Sequence, residues 1–129
     1  VRHPLEVIHS WRSLDLPVSR GKMHDAARCW PEMAAATQSG EVLKRQVLIY
    51  DLICQRLQAC RDQMTVLRYE DICAKPALVA EAVGSDALPD ARLITEPSRR
   101  ADAEERRIIG AALKAHGRHY RTFYPEAFE

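Results

Sequence analysis

Apolar residues recur most regularly between residues 41 and 61, where Leu43, Val47, Tyr50, Cys54 and Leu57 keep the i, i+4, i+7, i+11, i+14 spacing of one helical stripe. Val42, Ile49, Ile53 and Cys60 widen that stripe, which predicts a long helix buried on more than half of its circumference. A second pattern sits at the start of the chain. Val1 and Arg2 read as the end of a strand, and Pro4 suits the first position of a helix because its missing N–H would lack an intrahelical partner anyway. That helix is predicted to run to about Ser13, with Leu5, Ile8 and Trp11 on its buried face.

The remaining segments are shorter. Residues 14–25 carry Pro17 and Gly21 and predict a loop, and the helical stretch from about Ala26 to Thr37 is bent at Pro31 or begins there. Met64 to Tyr69, with Thr-Val-Leu at its centre, predicts a strand, after which Pro76 opens a short helix that Gly84 stops. Ala91 to Thr95 is a further short strand candidate. A last helix is predicted from near Asp102, which stands three residues before Glu105 in capping-box spacing, with Ile109, Leu113, His116, Tyr120 and Phe123 on one face.

Composition narrows the class without naming it. At 129 residues with 47% hydrophobic and 29% charged residues, the chain has room for one domain with one modest core. The net charge of +1, with basic and acidic residues interleaved, offers no general attraction to nucleic acid or anionic membrane, so any anion site must be local. No apolar run approaches the roughly 20 residues of a membrane span. Cys29, Cys54, Cys60 and Cys73 show no metal-ligand or CxxC spacing, and the sequence has no asparagine and hence no N-glycosylation sequon. Reduced, mostly buried thiols in a cytoplasmic setting are expected, with no metal. The chain begins on Val1 and not on Met, and runs at once into Arg-His-Pro, which predicts that further sequence precedes it.

The opening segment carries the most chemistry. A strand end that delivers Arg2 to the start of a helix suits an anion, since helix starts present free N–H groups and arginine grips phosphate through paired charge-assisted hydrogen bonds. Ser10, two turns into the helix, adds a hydroxyl on the flank. The plainer alternative pairs Arg2 with a carboxylate such as Glu6 and leaves Ser10 facing water.

VRHPLEVIHSW, residues 1–11, resembles the 3'-phosphate-binding segment of sulfotransferases that use 3'-phosphoadenosine 5'-phosphosulfate (PAPS): an apolar strand, Arg, a variable residue, Pro, and a Ser eight positions after the Arg. Arg2, Pro4 and Ser10 match that pattern, and VLRYEDICAKP, Val66 to Pro76, resembles the family's strand ending in Tyr-Glu-Asp before a helix-opening proline. The resemblance implies an α/β, P-loop-like sulfotransferase fold, here its helix-rich later part with a few parallel strands, as a single domain over residues 1–129. It implies that Arg2 and Ser10 hold the nucleotide's 3'-phosphate and that Tyr69 sits by the adenine, although Tyr69 also reads as a strand-end core aromatic. PAPS is then the co-substrate, 3'-phosphoadenosine 5'-phosphate (PAP) the product, and a small molecule or glycan with a hydroxyl or amine the acceptor.

Other positions take lesser parts. Arg99 and Arg100 are the candidates for the family's basic element over the 3'-phosphate, against the alternative of an exposed pair leading into the last helix. Glu70 and Asp71 read as structural, His3 as a variable position, His9 as a packing or surface residue, and Arg106, Arg107, Arg118 and Arg121 as a solvated face relieved by Glu104 and Glu105. The family's Gly- and Lys-containing 5'-phosphosulfate loop has no counterpart in the chain, and its catalytic base also lies upstream of the position of Arg2, so no catalytic residue is assigned. The isolated chain is expected to be inactive. The alternatives are a non-catalytic helical interaction module with a degenerate nucleotide motif, and a remnant of a P-loop nucleotide kinase.

Overall fold

Proline sets the rhythm of the first third. Pro4, Pro17 and Pro31 each occupy the first turn of a helix: α1 (Pro4–Ser13), α2 (Pro17–Arg20) and α4 (Pro31–Thr37), with α3 (His24–Cys29) between the last two. The computed structural model describes residues 1–86 and 101–125. The predicted loop at 14–25 is therefore corrected to α2 and the start of α3. Pro17 starts α2, and Gly21, at φ 68°, ends it in the left-handed conformation that favours glycine. The stretch from 26 to 37 breaks at Trp30, which is held extended before Pro31, and a new helix begins at the proline.

The long helix α5 (Val42–Ala59) is the central element, and α1, α2, α4 and α8 (Ala103–His116) all pack against it. Its Val47, Tyr50 and Cys54 join Leu5 and Ile8 of α1 and Ile109 and Leu113 of α8 in one core cluster. Its Ile49 faces the other way, with Val18, Met33 and Ala36. Burial on more than half of α5 holds for its first three turns, but Val42 is exposed. After α8, Gly117 ends the helix and a 3-10 turn (His119–Thr122) carries Tyr120 back into the core, held by Asp51, whose Oδ1 accepts from Arg118 N at 2.8 Å and Tyr120 N at 3.0 Å. Asp102 caps α8 by accepting from Glu105 N at 2.8 Å, as its spacing predicts.

The expected α/β fold is corrected: among the described residues every regular element is a helix, and there is no strand. Residues 65–68 belong to no helix or sheet, Arg68 is extended, and Tyr69 opens a helix, α6 (Tyr69–Ala74), ahead of α7 (Ala77–Val83) and its Gly84 stop at φ 66°. The reason is the lack of partners. Val1 N donates to Leu67 O and Tyr69 N donates to Val1 O, both at 2.6 Å, which makes a single pairing where a ladder needs several. The candidate strand at 91–95 lies outside the described residues. No helix among the described residues is long and apolar enough to cross a membrane.

Candidate functional site

Residues 1–3 are pinned through their main chain. Besides the two bonds of Val1, Arg2 O accepts from Tyr50 Oη of α5 at 2.6 Å, and His3 N donates to Glu70 Oε1 at 2.8 Å. His3 in turn starts α1, its Nδ1 accepting from Leu5 N at 3.3 Å. None of these contacts uses the Arg2 guanidinium. Its Nε is buried without a hydrogen-bond partner among the described residues, and its Cζ lies 5.4 Å from the centre of the Tyr69 ring. The two side chains flank an open cleft of about 460 Å³, completed by Val1, Leu67 and Ile72.

Glu70 acts as a latch behind this cleft. Its Oε1 takes the His3 N–H and its Oε2 accepts from Tyr124 Oη at 2.6 Å, tying the start of α1 to the end of the described chain. Burial pushes the Glu70 carboxyl up, but the bonds from Tyr124 and His3 outweigh it and hold the group below its ordinary value of 4.5. Burial, followed by the bond to Glu70, raises the Tyr124 phenol, so Tyr124 keeps its proton and Glu70 its charge. The Tyr124 ring meets His3 edge-on, at 5.1 Å between centroids, and Arg68, whose Cζ lies 4.6 Å from its centre. The Tyr69 phenol is raised above 10 by its hydrogen bond with Cys73 and by burial, while Arg2 pulls it down. Tyr69 is thus a neutral aromatic face next to a cation.

The predicted site residues part company. Arg2 and Tyr69 come together, whereas Ser10 does not line their cleft: it lies six residues beyond Pro4, about 9 Å along α1 at 1.5 Å per residue. Arg99 and Arg100 lie outside the described residues. Arg2 is not paired with Glu6, because Glu6 Oε1 accepts instead from Arg106 Nη2 at 3.2 Å. Arg106 also donates to Ala101 O, and both it and Arg107, which pairs with Glu104 at 2.6 Å, lie on the exposed face of α8. The thiols are corrected in burial: Cys54 is buried, and burial pushes it up to about 12, but Cys29 is exposed and Cys60 and Cys73 are half-buried. Among the described residues no group of three or more His, Cys, Asp and Glu is placed to hold a metal ion.

Leu67 and Ile72 were not singled out by sequence. Reading Tyr69 as the first residue of a helix would have found Ile72, three positions on and on the same face. No family model, curated protein or solved structure matches the chain.

Proposed function

We propose that the Arg2–Tyr69 cleft binds a nucleotide carrying a phosphate monoester, with PAP and PAPS as its ligands, and that the chain serves sulfuryl transfer from PAPS to a hydroxyl or amine acceptor in the cytoplasm. The observation that carries this reading is the Arg2 guanidinium, which borders the open cleft with no hydrogen-bond partner among the described residues while its main chain is fixed. A buried donor left unpaired costs about 1–3 kcal/mol, and more when charged; an oxyanion removes that cost with short charge-assisted bonds. Tyr69 sets an aromatic face beside the cation, where an adenine ring packs. The resemblance of residues 1–11 to a 3'-phosphate-binding segment is what favours a 3'-phosphate over other anions, and at this cleft Arg2 alone carries it, because Ser10 lies outside the lining.

PAPS, when bound, supplies the activated sulfuryl group. The chain's own part is binding and discrimination, since a nucleotide without the 3'-phosphate leaves Arg2 unpaired. Glu70, next to Tyr69 in the chain, is committed to His3 and Tyr124 and is not a free base. The chain alone therefore holds nucleotide without turning over an acceptor. The helical build of the described residues favours a second reading, a non-catalytic module that binds a protein partner.

Calorimetric titration with PAP and with 5'-AMP separates the two. PAP is expected to bind at least about tenfold more tightly than 5'-AMP, a difference of about 1.4 kcal/mol, and Arg2→Ala to abolish that preference. Equal affinity for both nucleotides, or a preference that survives Arg2→Ala, sinks the nucleotide reading.

A further inference from the structure

A second cleft, of about 330 Å³, opens where the carboxyl-terminal half of α1 meets α2 and the first turns of α5 and α8. Its charges are matched from within. Glu105 Oε1 accepts from Arg12 Nε at 3.1 Å, and Glu105 Oε2 lies 2.6 Å from His9 Nδ1. Its floor is not matched. Gln46 is fully buried, and its Nε2 donates to Ser19 Oγ at 2.9 Å, yet its Oε1 has no donor among the described residues. Ser19 cannot supply one, because its hydroxyl proton goes to Trp11 O at 2.8 Å. Arg45 does not supply one either: its Nη groups donate to the carbonyls of Ser39 and Ser19, and its buried Nε has no partner among the described residues.

We propose that this cleft binds a neutral polyhydroxylated molecule of monosaccharide size, with one hydroxyl donating to Gln46 Oε1 and another accepting from the Nη groups of Arg12. A hydroxyl is both donor and acceptor, so one class of ligand satisfies both ends of the cleft. A charged ligand would have to part Glu105 from Arg12, with which it is already paired. The volume stands at the small end of the roughly 300–1,000 Å³ of small-molecule sites, and Val42 supplies an apolar wall for the C–H face of a ring. The cleft shares no lining residue with that of Arg2 and Tyr69, so the two proposals stand or fall separately.

The test is a nitrogen-15 NMR titration of the full chain with D-glucose, D-galactose and myo-inositol in turn, with sodium sulfate and sodium acetate as charged comparators. At least one neutral probe is expected to shift the Gln46 side-chain amide and the Arg12 Nε–H signals saturably. Gln46→Met and Arg12→Gln are each expected to weaken that binding by about tenfold or more; Arg12 is partly exposed, so its variant keeps the test open should Gln46→Met fail to fold. The proposal is overturned if none of the three probes shifts these signals, which would mean that the cleft holds only water. It is equally overturned if either folded variant binds as the wild type does, or if sulfate or acetate shifts these signals at lower concentration than any neutral probe.

Discussion

Arg45 and Arg2 bring the same guanidinium into two regions that treat it in opposite ways. Arg45 lies in the knot where α5 meets α2 and the end of α4, and its Nη1 and Nη2 donate to Ser39 O at 2.8 Å and Ser19 O at 2.6 Å. The surrounding backbone closes around it. A Cβ on Gly21 would lie 2.8 Å from Thr37 O and 3.1 Å from Arg45 Nη1, so glycine is needed there for space as well as for its positive φ. At the amino-terminal edge the main chain is held by Tyr50 and Glu70, and the Arg2 side chain has no hydrogen bond among the described residues and stands beside an open cleft. An unpaired Nε does not distinguish the two, because Arg45 has one as well. The difference lies in the Nη groups: those of Arg45 carry backbone, and those of Arg2 carry none among the described residues.

The comparison breaks most visibly at Arg45. Arg45→Met keeps the stem that packs against the knot and leaves the carbonyls of Ser19 and Ser39 without their donor, which is expected to cost about 2–4 kcal/mol. Urea unfolding is expected to show a lower midpoint with an unchanged slope. A loss below about 0.5 kcal/mol would place Arg45 among surface residues and remove one side of the contrast.

Glu70 gives the next effect, and it depends on pH. Its folded-state pKa is depressed, so the stability it contributes is fully present above its ordinary value of 4.5 and is lost as pH falls through the lower folded value. Glu70→Gln keeps an acceptor for Tyr124 but has nothing to titrate. Wild type is therefore expected to be the more stable at pH 7, with the gap closing as pH falls below 4.5, followed by denaturant unfolding at a series of pH values. A gap that is constant across that range would mean that the carboxylate charge does nothing at the latch.

Signals confined to a few neighbouring residues were legible in the sequence. Pro4 at the start of α1, the Asp102–Glu105 cap of α8 and the apolar stripe of α5 each state their structure within one or two turns. Pro17 and Gly21 were legible as punctuation but not as to what they punctuate, since the same pair bounds a loop or a four-residue helix such as α2. Thr65-Val66-Leu67 has strand-type residues, yet among the described residues the only backbone that bonds to it is Val1, and propensity without a partner strand yields no sheet. The Arg2–Tyr69 pairing was accessible because two segments each carried a recognisable pattern. Glu6–Arg106, separated by 100 positions, and the unmatched floor at Gln46 depend on how α1, α5 and α8 come together, which no local pattern records.

The smallest expected effect sharpens the contrast most. Arg2→Ala gives up its stacking on Tyr69, worth about 0.5–1 kcal/mol at a partly exposed site, and at the same time removes a buried Nε that nothing satisfies. These changes oppose one another, so the variant is expected to unfold within about 0.5 kcal/mol of wild type in the same urea series that exposes Arg45→Met. A residue that leaves stability untouched while governing nucleotide preference is one whose side chain is held for a ligand. If Arg2→Ala instead costs as much as Arg45→Met, its guanidinium is holding the amino-terminal edge together, and the opposition between the two arginines collapses into a single structural role.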